Sequence, residues 1–337
     1  MKNKILLSIL AVALLITMTS CGGNDTPTGG SGKWTLIKSP FGADDFVRGI
    51  AYGNGTWVAG CGNGKMAYSS DGINWTLRKD KKVETTALAF GGGMFLAGAG
   101  DGKISTSTDG INWETFKLEF DGIEISGMIE EIIWDGESFV AITGFGTLLY
   151  TVPGSVDDWR KTIITPFADY SLMNGIAYSK DKDTYVVVGI KDIPGSGFYG
   201  RIVYSDDGGS TWTEVSSHPF GKNDSIDAVA FGGGKFVAGD RKLAYSTDGK
   251  VWTDITKNNP LSGSGINKII YGNGKFVAVG VGGNAITSTD GVNWSLMTDN
   301  IFSQSGYNKG NPISVGYGNG KFIAGGIDGE LAYLIDK

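Results

Sequence analysis

Gly49-Ile50-Ala51-Tyr52-Gly53-Asn54-Gly55-Thr56-Trp57-Val58-Ala59-Gly60, followed beyond Gly64 by Lys65-Met66-Ala67-Tyr68-Ser69-Ser70-Asp71-Gly72-Ile73-Asn74-Trp75, is the stretch that decides the fold. Short apolar runs alternate with Gly-x-Gly and Asp-Gly turns, and no apolar residue recurs at helical spacing. The unit therefore holds four short strands. Its aromatic-Gly-x-Gly element returns at Phe90, Phe231, Tyr271 and Tyr317, and more loosely at Trp134 and Tyr178. Its Asp-Gly-x-x-Trp close returns at Trp113, Trp252 and Trp294, and in variant form at Trp159 and Trp212. The intervals between these tryptophans are 38, 46, 53, 40 and 42 residues. Four strands in a period near 40–45 residues describe a β-propeller blade.

The two ends set the blade count. The last unit starts near Ile313, runs through Leu331-Ala332-Tyr333-Leu334, and stops without a tryptophan strand. The missing strand stands at the other end, where Lys33-Trp34-Thr35-Leu36-Ile37 matches Asn74-Trp75-Thr76-Leu77-Arg78. The expected fold is all-β: a seven-bladed antiparallel β-propeller over residues 33–337, with the N-terminal strand closing the last blade. Closure removes the open sheet edges that would otherwise pair with other chains.

Composition agrees. Glycine makes up 55 of 337 residues, about twice the usual share of roughly 7%, and 41% of the chain is hydrophobic, so a core can form. Gly53, Gly55, Gly60 and Gly72 are read as supplying the positive φ of tight hairpins. A formal net charge of −6 with no basic patch excludes general nucleic-acid binding.

Lys2 and Lys4 precede an apolar run, Ile5 to Ile16, that is too short to span a membrane. Met18-Thr19-Ser20-Cys21 then resembles the lipobox of bacterial lipoproteins, with Met18 where leucine is preferred. The resemblance implies a signal peptide over 1–20, lipid on Cys21, and a Gly/Ser-rich tether through residue 32. It also implies anchoring at a bacterial envelope membrane, at the outer membrane or cell surface rather than the inner membrane. Cys61 is the only other cysteine, so a lipidated Cys21 leaves no disulfide within the mature chain. Cys61 itself reads as a small residue of a glycine-rich loop.

Ser205-Asp206-Asp207-Gly208-Gly209-Ser210-Thr211-Trp212 resembles the Asp-box of bacterial neuraminidase repeats, and the other blades carry a form one residue shorter. The pairs Asp71/Trp75, Asp109/Trp113, Asp207/Trp212, Asp248/Trp252 and Asp290/Trp294 are read as structural. The aspartate satisfies turn amides, and the tryptophan packs between blades. Neuraminidases bind the sialate carboxylate with three arginines, use a Tyr/Glu nucleophile pair and an Asp acid/base, and have six blades. This chain has only Arg48, Arg78, Arg160, Arg201 and Arg241, spread over distant blades, so the resemblance implies fold rather than activity. His218 is the sole histidine, which argues against His-based catalysis. No catalytic residue, cofactor or metal site is expected.

A ligand site is expected on the face where the first strands begin. Aligned repeats bring Arg48, Thr86, Glu130, Asn174, Asp227, Asn267 and Ile313 to one ring at the channel mouth. Most are polar, and they differ from blade to blade, as a specific site requires and as an unconstrained wet channel mouth would also show; a site is expected near blades four and five. Connections carrying Ser39-Pro40-Phe41, Thr165-Pro166-Phe167 and His218-Pro219-Phe220 reach the same face. So does a blade-four insertion, Ile190 to Gly200, that contains Phe198 and Tyr199. The Phe residues are read as pinned by their prolines over the blade tops, or alternatively as exposed platforms. The functional expectation is a non-catalytic, monomeric binding or scaffolding lipoprotein for a glycan or envelope protein, using Arg48, Glu130, Asn174, Asp227, Asn267 and Tyr199. The alternative is a sialidase-like glycoside hydrolase or lyase acting through carboxylates on that face.

Overall fold

The computed structural model describes residues 32–336, except 122, 126, 156–157, 170, 262, 298–299 and 303–309. The expected signal peptide, Cys21 and most of the expected tether lie outside the described residues. Seven four-stranded antiparallel sheets follow one another along the chain, over 47–77, 87–116, 129–163, 171–214, 228–254, 266–296 and 312–335. The fourth strand of blade seven is Thr35–Ile37, paired antiparallel with Leu331–Ile335 in the register Thr35↔Tyr333 and Ile37↔Leu331. The fold is thus a seven-bladed propeller closed by its N-terminal strand. A small hairpin, Glu119–Phe120 with Ile123–Glu124, sits between blades two and three.

Burial within a blade follows strand order. Second strands such as Thr56–Cys61 and Lys275–Gly280 are buried almost throughout, whereas the short fourth strands such as Thr76–Leu77 are largely exposed. The core lies at the seams, where one cluster of buried side chains joins each pair of adjacent blades. Ile323 and Leu331 of blade seven meet Ile50, Trp57 and Ala59 of blade one, and Val140 and Leu148 of blade three meet Ile176 and Val203 of blade four. Full burial of one such side chain contributes about 1.5–3 kcal/mol.

The repeat motif has a direct packing meaning. In every blade the aromatic residue near the end of the first strand faces an aromatic residue opening the second, as in Tyr52 with Trp57 and Phe231 with Phe236, at centroid distances of 5.0 and 4.6 Å. Gly55 and Gly72 have φ of +77° and +73°, as their turns demand. Gly53 and Gly60 do not, which corrects the reading from sequence: they are small so that the next blade can approach. A Cβ on Gly53 would lie 2.1 Å from the Phe90 ring, and one on Gly60 would lie 2.5 Å from Thr85.

Cys61 is also corrected. It ends the second strand of blade one and is fully buried beside Trp57 and Ala67, where burial pushes its thiol up to about 12. The second strand continues further into the glycine-rich segment than the composition suggested.

Candidate functional site: the channel mouth

Five of the seven first strands contain a β-bulge, and the bulged residue is the ring residue: Arg48, Glu130, Asn174, Asn267 and Ile313. A bulge leaves one residue out of the ladder and re-aims its side chain. In blades two and five, Thr86 and Asp227 stand just before the first strand, and their amides bond back to Gly98 and Gly239. All seven residues line one cavity of about 600 Å³ that runs along the channel from this mouth to the far ends of the first strands at Tyr52 and Trp134.

Several of them stitch one blade to the next. Thr86 Oγ1 donates to the Ile129 carbonyl at 2.6 Å, Asn174 Nδ2 to the Ile226 carbonyl at 3.2 Å, and Asn267 Nδ2 to the Pro312 carbonyl at 2.8 Å. Ser314, one residue beyond Ile313, closes the ring by donating to the Val47 carbonyl at 2.6 Å. These bonds tie Thr86, Asn174 and Asn267, which still line the cavity, to the following blades.

The remaining charged groups are Arg48, Glu130 and Asp227. Arg48 is exposed, with its guanidinium 6.0 Å from the Phe46 ring centroid. Glu130 is half-buried; burial pushes its carboxyl above the ordinary range while Arg48 pulls it back. Asp227 accepts from Asn174 Nδ2 at 3.2 Å, and burial, reinforced by the Asp240 carboxylate, pushes it up to about 6. Among the described residues the mouth thus presents the exposed guanidinium of Arg48 beside two carboxyl groups displaced toward their neutral forms.

Deeper in the cavity, Glu131 of blade three bonds Lys268 of blade six across the channel, and its second carboxylate oxygen accepts from the Ile176 amide at 3.4 Å. The reading from sequence missed this pair. The signal was present: the corresponding positions elsewhere are Gly49, Ala87, Gly175, Ala228 and Ser314, all small.

Other expected features lie away from the mouth. Tyr199 does not line the cavity; the insertion continues blade four's second and third strands as a paired hairpin, with Tyr199 opposite Lys191 and bridged to Lys222. Phe41, Phe167 and Phe220 are buried, so the exposed-platform alternative falls. Arg201 is buried too, held by Asp169, Glu214, Ser171 and the Pro166 carbonyl. In the turns before the fourth strands, Asp71 accepts from the Ile73 and Asn74 amides, each at 2.8 Å. Asp109, Asp248 and Asp290 repeat this pattern, and Asp207 accepts from the Thr211 amide. The indole Nε1 of Trp75, Trp113, Trp212 and Trp252 donates to the glycine carbonyl of its own turn. Among the described residues no three His, Cys, Asp or Glu side chains gather as a metal site.

No protein-family pattern and no curated relative matches the chain. Solved structures do. YCF48 bound to D1 peptide aligns with a TM-score of 0.66 at 16% identity, covering 90% of this chain and 97% of that one. YCF48 from Cyanidioschyzon merolae gives 0.64 at 18%, covering 89% and 98%. Streptogramin B lyase gives 0.66 at 10%, covering 90% and 97%. At these identities the likeness establishes the propeller fold and leaves function to the site itself.

Proposed function

We propose that this chain is a non-catalytic binding or scaffolding propeller of the Asp-box type, anchored by lipid on Cys21 to the outer membrane or cell surface of a bacterium. It engages an envelope protein or glycan through the channel mouth. The observation that carries this reading is the convergence of Arg48, Glu130 and Asp227 on one open cavity, among polar ring residues tied to the following blades. The similar propeller named with a bound D1 peptide supports a polypeptide partner.

Two experiments test the reading. Palmitate labelling of the expressed chain should vanish in Cys21→Ala, and labelling that survives would overturn the anchor. The mature Cys21→Ser protein should capture a partner from envelope extract or a glycan array, and Arg48→Ala and Asp227→Asn should each weaken that binding at least tenfold. Unchanged binding in both variants would place the contact elsewhere.

One observation favours a second reading. A carboxyl group with a pKa near 6, as at Asp227, suits general acid catalysis near neutral pH. Turnover of chromogenic glycosides abolished by Glu130→Gln or Asp227→Asn would establish a hydrolase instead.

A further inference from the structure

The seam between blades three and four breaks the repeat twice at the same place, on the face opposite the channel mouth. Five blades end their first strand's aromatic element with glycine: Gly53, Gly91, Gly232, Gly272 and Gly318. A Cβ at any of them would fall 2.0 to 2.4 Å from an aromatic side chain of the following blade. Blade three has Asp135 there, so Tyr178 of blade four cannot settle against the backbone in the same way. The second break is the turn before the fourth strand. A Cβ on Gly72, Gly110, Gly249 or Gly291 would lie 2.5 to 3.0 Å from a side chain of the preceding blade. In blade four that turn is one residue longer. Gly209 takes the equivalent place, donating to Ser205 Oγ and accepting from Trp212 Nε1. A Cβ there would meet nothing nearer than Trp212 and Tyr185 of its own blade, 3.9 Å away.

The two departures leave a cleft of about 640 Å³ between the blades, within the range of about 300–1,000 Å³ of small-ligand sites. Its aromatic wall is Tyr178, Tyr185 and Trp212, with ring centroids 4.3 and 6.2 Å apart in sequence order. Polar groups of both signs surround the wall. Tyr185 Oη donates to Asp135 at 2.6 Å, Tyr178 Oη donates to Asp183 at 2.8 Å, and Lys161 and Lys180 also line the cleft.

This chemistry selects among ligands. An ammonium ion would meet the two lysines, an anion would meet the carboxylates of Asp135, Glu137 and Asp183, and a purely apolar ligand would strip water from these charged groups without replacing it. A pyranose ring offers a C–H face to the aromatic rings and hydroxyls that both donate and accept. We propose that the seam cleft of blades three and four binds a neutral saccharide, at a site separate from the channel mouth.

Calorimetric titration of the mature Cys21→Ser protein with cellobiose, maltose and chitobiose tests this. At least one should bind with a Kd between about 0.1 and 10 mM, the weak range near −4 kcal/mol. Deleting Gly208, which restores the shorter turn, should weaken binding at least tenfold. So should Ser210→Trp, which fills the cleft from an exposed position. Leu36→Asn, exposed on the closing strand and lining neither cavity, should leave sugar binding unchanged, and binding retained in both cleft variants would return the sugar to the channel mouth. Absence of binding by all three disaccharides, or binding that survives in both cleft variants, would overturn the assignment.

Discussion

Glu131 and Lys268 meet across the central channel although 137 residues separate them. They join blades three and six, which stand on opposite sides of the ring. The same two blades carry Ile133 and Ile270 where the others have Ala51, Ala89, Ala177, Ala230 or Gly316. Small residues let first strands crowd around a narrow axis; in these two blades larger side chains occupy the space instead.

Breaking the cross-channel pair should weaken the ring. Lys268 and Glu131 are 28% and 12% exposed, so the pair is only partly desolvated. Lys268→Met should cost about 1–3 kcal/mol by stranding the carboxylate. The double variant Glu131→Gln/Lys268→Met should recover part of the loss. The urea unfolding midpoint measures both.

Stability should fall as pH rises through the Asp227 titration. Its folded pKa, about 6, lies above the ordinary value of 3.8, so folding favours the protonated form. That contribution is complete below about pH 4 and lost as pH rises past 6. Glu130 acts in the same direction. Asp227→Asn should flatten the profile between pH 4 and 7 and stabilise the protein at pH 7 by about 1–2 kcal/mol. A melting-temperature series across that window checks the sign.

The turn aspartates should give the opposite slope at lower pH. Hydrogen bonds from the Ile111 and Asn112 amides, each at 2.8 Å, oppose the effect of burial and hold Asp109 at about 2. Its contribution is present above about pH 4 and lost as pH falls toward 2. Asp109→Ala should lower stability at pH 7 by about 1–2 kcal/mol and lessen the acid sensitivity of unfolding.

The closing strand should be energetically essential. Trp34 is buried among Leu334, Met297 and Ile301, whereas Leu36 is 58% exposed. Trp34→Ala should cost about 3–5 kcal/mol, and Leu36→Asn should stay within about 0.5 kcal/mol of the parent. Removing residues 33–38 should produce aggregation on size exclusion, because it uncovers the edge of Leu331–Ile335.

Cys61 should be silent in the native state. Its thiol is fully buried with a pKa of about 12, so almost no accessible thiolate exists at pH 8. Ellman's reagent should react with the Cys21→Ser protein only through the urea transition.

The blades and their closure were legible because each repeat carries its own turns, aromatic pair and tryptophan strand. The ring at the mouth was legible because one repeat position projects onto one circle. That Arg48 and four of its counterparts are bulged was not legible, since a bulge depends on pairing with the second strand. Glu131, Lys268 and Asp135 stood out only against columns of small residues, and their meaning required knowing which blades face or adjoin each other. The Phe41, Phe167 and Phe220 alternatives turned on burial, and the place of Tyr199 turned on hairpin length. Neither follows from residue identity.

The closing strand also shapes how the molecule behaves in company. Its contacts with Leu331–Ile335 join residues near opposite ends of the chain, and the same contacts can be made by a strand from another copy. Intramolecular closure depends on the effective concentration of a very long loop. Refolding from dilute solution should therefore give monomers, while concentrated refolding should yield domain-swapped oligomers in which each ring borrows its neighbour's Trp34 strand.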